Sequence, residues 1–170
     1  MSFIVHFLPA DLAAAPKPLG DLDAGRTADP SDDEAVELSA DEIATWDGLH
    51  GRLVELLPAG SHDVTATAFS RQLVHDASGL LVTWAHDDYR ASVPFWRENV
   101  SFGVLDTLAE VTEAIEAATG LVGVDEISEA RFLDHRDQVN ETFAGVADGF
   151  EQAMEHQTVL GWLREPFRRR

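Results

Sequence analysis

The chain has no cysteine, a single lysine (Lys17) and a single tyrosine (Tyr89). No apolar run approaches the roughly 18 residues that a membrane helix needs. Each shortage excludes something. Without cysteine there are no disulfides, no thiolate-held zinc or iron–sulfur cluster and no thiol nucleophile. There is no P-loop, no G-x-G-x-x-G, no H-E-x-x-H and no G-x-S-x-G. The glycines fall singly at turns and caps, so no phosphate cradle is expected. Met1-Ser2-Phe3-Ile4-Val5-His6-Phe7-Leu8 is too short for a signal peptide and has no basic n-region. It reads as a first strand rather than a leader, which points to the cytoplasm.

Positive charge is the other shortage. Against 31 Asp and Glu stand 12 Lys and Arg, a formal net charge of −19 over 170 residues. A surface this negative repels nucleic acid and anionic membranes and draws cationic partners from a distance. The imbalance is local as well as global. Asp29 to Asp47 holds eight acids and Glu98 to Glu126 holds seven, with no Lys or Arg in either stretch. The C-terminus, residues 164–170, is a short basic tail ending Arg168-Arg169-Arg170.

The patterning predicts one domain, 1–170, of α+β class. Its expected architecture is a mainly antiparallel sheet of four or five strands, helices packed on one face and a long C-terminal helix. Residues 2–8 alternate as a strand. Residues 9–38 hold four prolines and the run Asp29-Pro30-Ser31-Asp32-Asp33-Glu34, and read as a long, mobile acidic loop. Ser39 and Glu42 form a capping box before a helix carrying Ile43, Trp46, His50, Leu53 and Leu57, stopped by Pro58-Ala59-Gly60. Residues 63–96 read as a meander, with turns at Asp76-Ala77-Ser78-Gly79 and His86-Asp87-Asp88. Pro94 marks an edge strand or a strand end. A second helix follows on Val104, Leu108, Val111, Ile115 and Ala118, with Ser101 as its cap and Gly120 just past its end. Leu121 to Val124 reads as a short strand. From Ser128 the helical period returns on Phe132, Val139, Phe143, Val146, Phe150 and Met154, running to Leu163 before Pro166.

Candidate functional residues follow from charge and from interface chemistry. Asp106, Glu110 and Glu113 share one face of the second helix, and Glu116 continues the stripe. Like charges at that spacing destabilise a helix by a few tenths of a kcal/mol per pair, and no neighbouring cation offsets them. With Asp32, Asp33 and Glu34 they are the expected contacts for a cationic protein. Trp46 and Trp84 read as core. Arg90, Trp96 and Arg97 are the expected non-acidic contacts, since Trp and Arg dominate interface hot spots. The turn His86-Asp87-Asp88 offers metal-ligand side chains, although a contiguous tripeptide converges poorly on an ion. Asp134-His135-Arg136-Asp137 reads as a surface patch. Gly145 and Gly149 form a small-residue notch for close packing against another element.

The stretch Leu80-Leu81-Val82-Thr83-Trp84-Ala85-His86-Asp87-Asp88-Tyr89-Arg90-Ala91-Ser92-Val93-Pro94-Phe95-Trp96, with the helix after it and Thr119-Gly120-Leu121-Val122, resembles small acidic bacterial proteins of the immunity or antitoxin kind. The likeness is one of pattern and covers roughly residues 80–125. It stops after the last strand, where such proteins often continue with an Asp-Pro-Gln segment and this chain reads Gly123-Val124-Asp125-Glu126-Ile127. What the resemblance implies is a non-catalytic protein without cofactor that neutralises a cognate toxin. The expected function is therefore an acidic toxin inhibitor acting by occlusion through protein–protein interaction. Two alternatives stand beside it. One is a small metal-dependent hydrolase using His86, Asp87 and Asp88. The other is a homo-oligomer assembled through the Gly145/Gly149 helix face.

Overall fold

A computed structural model describes residues 2–15, 19, 36–86, 88–95, 99 and 103–149. The described elements run β1 (Ser2–Leu8), α1 (Ala10–Ala13), α2 (Ala40–Leu56), β2 (His62–Ala66), β3 (Ser70–His75), β4 (Leu80–Ala85), β5 (Asp88–Pro94), α3 (Val104–Thr119) and β6 (Val122–Asp125). A 3-10 turn at Phe132–Asp134 leads into α4, which spans 136–149. No helix among the described residues is long and apolar enough to cross a membrane.

The fold is α+β with an antiparallel sheet, as the pattern predicts, but the sheet has six strands rather than four or five. Their order is β2-β3-β4-β5-β1-β6. The meander β2 to β5 is sequential. The N-terminal strand then pairs with β5 on one side and β6 on the other, in register Phe3↔Val93 and Phe7↔Gly123. That insertion makes β5 an interior strand. Pro94 is tolerated there because it is the strand's last residue, where no further ladder donor is needed.

Alternation along the strands sets the core face. Phe3, Val5 and Phe7 of β1, Ala91 and Val93 of β5, Leu80, Val82 and Trp84 of β4 and Leu73 of β3 are buried together. The ring of Phe3, wholly buried, lies 5.7 Å from that of Phe132 and 6.4 Å from that of Phe143. Trp46 of α2 meets Trp84 at 6.3 Å. Helices α2, α3 and α4 thus cover a single face of the sheet. Trp46 and Trp84 are core residues, each 2% exposed, as their periodicity predicts.

The helix ends explain the boundaries. Ser39 caps α2 in a reciprocal capping box: its Oγ accepts from the Glu42 N–H at 3.2 Å, and its own N–H donates to Glu42 Oε2 at 2.8 Å. α3 departs from expectation at its start. Its N-cap is Gly103, in the left-handed region at φ 62, with no side-chain cap. Ser101, the expected cap, lies outside the described residues. Its far end is as expected, with Gly120 left-handed at φ 72.

After β6 the chain does not turn directly into a helix at Ser128. The buried Asp125 carboxylate accepts from the N–H groups of Ile127 at 3.0 Å and Ser128 at 2.8 Å, and from the Ser128 hydroxyl. These bonds hold 126–129 as a turn, and Val124 then bridges to Arg131. Glu129 sits in the left-handed region at φ 52, which a right-handed helix running on from Ser128 does not allow. The expected continuation of α4 through Phe150 and Met154 to Leu163 lies outside the described residues, as do the basic tail 164–170 and most of the expected loop 9–38. The part of that loop next to β1 is one short helical turn, α1.

Candidate functional site

The three carboxylates expected on the second helix are where the spacing puts them. α3 buries Leu105, Leu108, Ala109, Val111, Thr112, Ala114 and Ile115. Asp106, Glu110 and Glu113 therefore all face solvent. α2 is built in the same way. It buries Trp46, Leu49 and Leu53 and exposes Asp41, Asp47 and Glu55. The two helices pack against each other on one sheet face, so their solvent sides look the same way. The outcome is a helical layer with six exposed carboxylates, Asp41, Asp47, Glu55, Asp106, Glu110 and Glu113. Arg52 is an exposed cation on the same layer.

The stripe is not wholly uncompensated, contrary to the expectation from its neighbours in sequence. Arg136, from the start of α4, pairs with Asp106. Arg131 donates to Glu116 Oε2 at 2.7 Å, which raises the arginine's pKa further through the hydrogen bond and the charge of that glutamate. Both cations arrive from the segment after β6, which returns along α3. Glu110 and Glu113 have no ion pair among the described residues. They are the bare middle of the stripe.

The remaining expected contacts do not gather here. Arg90 pairs in register with His6 and Thr83, on the sheet face opposite the helices, and its guanidinium lies 3.4 Å from Asp88. It belongs to a different surface from the carboxylates of α3. Asp32, Asp33, Glu34, Trp96 and Arg97 lie outside the described residues.

The His86 turn holds a polar cluster of another kind. Glu42 Oε1 accepts from the Tyr89 hydroxyl at 2.7 Å and from His86 Nδ1 at 3.1 Å, while Oε2 takes the Ser39 N–H and hydroxyl. A carboxylate can only accept, so His86 carries its proton on Nδ1. Burial opposes the charge on Glu42, and the hydrogen bonds from Tyr89, Ser39 and His86 outweigh it, taking its pKa from 4.5 to about 2. One ionised side chain thus caps α2 and fastens it to the β4–β5 turn. Sequence reading identified Glu42 as a cap and missed its second role. The nearest signal was the His86 and Tyr89 pair astride the turn. Asp87 lies outside the described residues, and among those described no group of three or more His, Asp or Glu is arranged to hold a metal ion.

The Gly145/Gly149 notch faces outward. Both glycines are exposed, and a Cβ added at either would meet nothing within 4 Å among the described residues. Nothing described in the chain packs into it. His135 and Asp137 are exposed, as expected for a surface patch.

Compared with the models of known protein families, with curated proteins and with solved structures, the chain matches none.

Proposed function

We propose that this chain is a non-catalytic binding protein, of the immunity or antitoxin kind, that neutralises a cationic toxin or enzyme by covering its active site. The observation that carries the reading is the helical layer: α2 and α3 lie side by side with six outward carboxylates, while their compensating arginines reach only the ends of the α3 stripe. Carboxylates three and four residues apart repel one another on a helix. A cationic surface docked against them converts that repulsion into attraction. The long-range field of a chain with net charge −19 steers such a partner before contact.

The test is capture followed by function. The chain is immobilised at low salt in lysate of its source, the retained protein is identified, and its activity is titrated with the chain. A basic protein is expected whose activity falls to zero at a fixed stoichiometry. Retention is expected to be lost on the double change Glu110→Lys and Glu113→Lys. Retention of that protein by the charge-reversed chain, or full activity at saturation, overturns the proposal.

A second reading is favoured by the exposed notch on α4: two copies associating through Gly145 and Gly149. Sedimentation of the purified chain alone decides it, a stable dimer supporting it and a monomer at micromolar concentration ending it.

A further inference from the structure

The sheet ends in β6 on one side and β2 on the other. The β6 edge is partly closed by the bridge from Val124 to Arg131. The β2 edge is open, and all five residues of the strand are exposed. Its hydrogen-bond phase is fixed at both ends of the β2–β3 hairpin. The Thr67 N–H donates to the Ser70 carbonyl at 2.9 Å, and the Asp76 N–H to the Ser61 carbonyl at 3.1 Å. Bonded and non-bonded pairs alternate along an antiparallel ladder. The main-chain groups of Asp63 and Thr65 are therefore turned towards Val74 and Gln72 of β3. Those of His62, Val64 and Ala66 are turned outward, and no described residue bonds to them.

Proteins usually blunt such an edge with Pro, Lys, a bulge or a covering segment. β2 has no Pro and no Lys, and its register with β3 is unbroken. Its side chains divide between the two faces. Val64 pairs with the core residue Leu73, yet it is 45% exposed. Asp63 and Thr65 lie on the opposite face.

Charge decides what fits the edge. Exposed carboxylates surround the hairpin: Asp63 within β2, Asp76 at its closing turn, and Glu37 beside the Leu38 N–H that donates to the Ala68 carbonyl. Arg71, the only Lys or Arg of the hairpin, turns its guanidinium to the carbonyls of Thr67 and Ser70. A second copy of the chain would bring its own net charge of −19 to this edge and be repelled. A cationic strand is attracted.

We propose that the β2 edge receives an extended strand of the cationic partner, which adds a seventh strand to the sheet. The inference rests on the reading of the chain as a binder of such a partner, and it names how that partner is gripped. Main-chain bonds to His62, Val64 and Ala66 hold the strand whatever its sequence. Side-chain alternation then selects it, with apolar residues beside Val64 and Lys or Arg beside Asp63.

The probe is the blocked peptide acetyl-Lys-Val-Lys-Val-Lys-Val-Lys-amide, titrated into the full chain with amide exchange followed by NMR. Slower exchange is expected at His62, Val64 and Ala66, and no change at Asp63 or Thr65, whose N–H groups are already bonded inward. The same peptide with every main-chain nitrogen methylated keeps its charge and is expected to protect nothing. Val64→Pro removes one outward N–H and leaves the β3 ladder intact, a substitution that edge strands tolerate. It is expected to keep the circular dichroism of the parent and weaken peptide binding by about tenfold. Asp63→Lys is expected to weaken binding by about threefold at low salt, and it decides the matter if the proline variant misfolds. Absence of protection, equal binding of the methylated peptide, or unchanged affinity in both variants overturns the proposal. Protection of the same three N–H groups in the chain alone, with a dimer in sedimentation, also overturns it, because the occupant is then a second copy. If a captured cationic protein is bound and inhibited equally well by Val64→Pro, the strand falls and the partner reading stands. If the peptide pairs with the edge and no cationic protein is captured, it is the partner reading that falls.

Discussion

Replacing Glu42 by Gln removes one negative charge from the junction of α2 and the β4–β5 turn and leaves its size almost unchanged. A carboxyl held at about 2 instead of 4.5 favours its ionised form in the folded state by roughly 3 kcal/mol. The Glu42 side chain is 14% exposed, but its His86 partner is 40% exposed and water weakens that bond. A loss of about 2 kcal/mol at pH 7 is therefore the reasonable expectation. The sign follows from the direction of the shift. A depressed carboxylate stabilises the fold fully above its unfolded value near 4.5, and that stability drains away as pH falls towards 2. Urea unfolding of both chains at intervals from pH 7 to pH 2 isolates the effect from the many other carboxylates, which titrate in each. The gap between the two curves should be widest above pH 5 and close progressively towards pH 2. Curves that stay parallel throughout, or a variant as stable as the parent at pH 7, would refute the assignment of Glu42 as the ionised fastener.

Four further outcomes are expected. Phe3→Ala, which empties the centre of the Phe95, Phe132 and Phe143 cluster, should lower stability by about 3–5 kcal/mol in chemical denaturation. Gly123→Ala should be destabilising by about 1–3 kcal/mol, because its Cβ would sit 2.7 Å from Thr112 Cγ2 and 3.1 Å from Val5 Cγ1. Adding Thr112→Ser removes that methyl and should recover part of the loss, so a double-mutant cycle that is additive would count against the clash. Gly145→Ala, on an exposed helical site with open space around it, should raise the melting temperature through roughly 0.5–1 kcal/mol, and it should weaken any dimer that uses the notch. Arg131→Gln should change stability by at most about 1 kcal/mol, since its pair with Glu116 is partly exposed. A larger loss would mean that the arginine fixes the return segment along α3.

Local signals accounted for much of the fold. The Ser39–Glu42 box, the Asp76–Gly79 turn, the α3 stripe and Gly120 each depend on residues within a few positions of one another, and each is found where its pattern predicts. Strand count failed because it depends on distant pairing. Nothing in residues 2–8 tells that they separate β5 from β6. The helix expected from Ser128 failed because Glu129 takes the left-handed conformation at φ 52 and Arg131 is extended and bridges back to Val124, a pairing between residues too far apart for the helical period to reveal.

The candidate surface was half legible. The outward face of α3 follows from its period alone. That α2 sets Asp41, Asp47 and Glu55 beside it, that Arg131 and Arg136 return to the stripe, and that Arg90 points away from it are tertiary facts without a local signature.

Association kinetics bear most directly on whether the carboxylates of α2 and α3 exist to meet a cation. The on-rate for the captured partner, measured by stopped flow across a range of ionic strength, should fall by tenfold or more as salt rises from low to physiological levels. The Glu110→Lys and Glu113→Lys chain should start slower and show a much shallower slope, with its off-rate less affected. Equal on-rates and equal slopes for the two chains would mean that these side chains play no part in finding the partner.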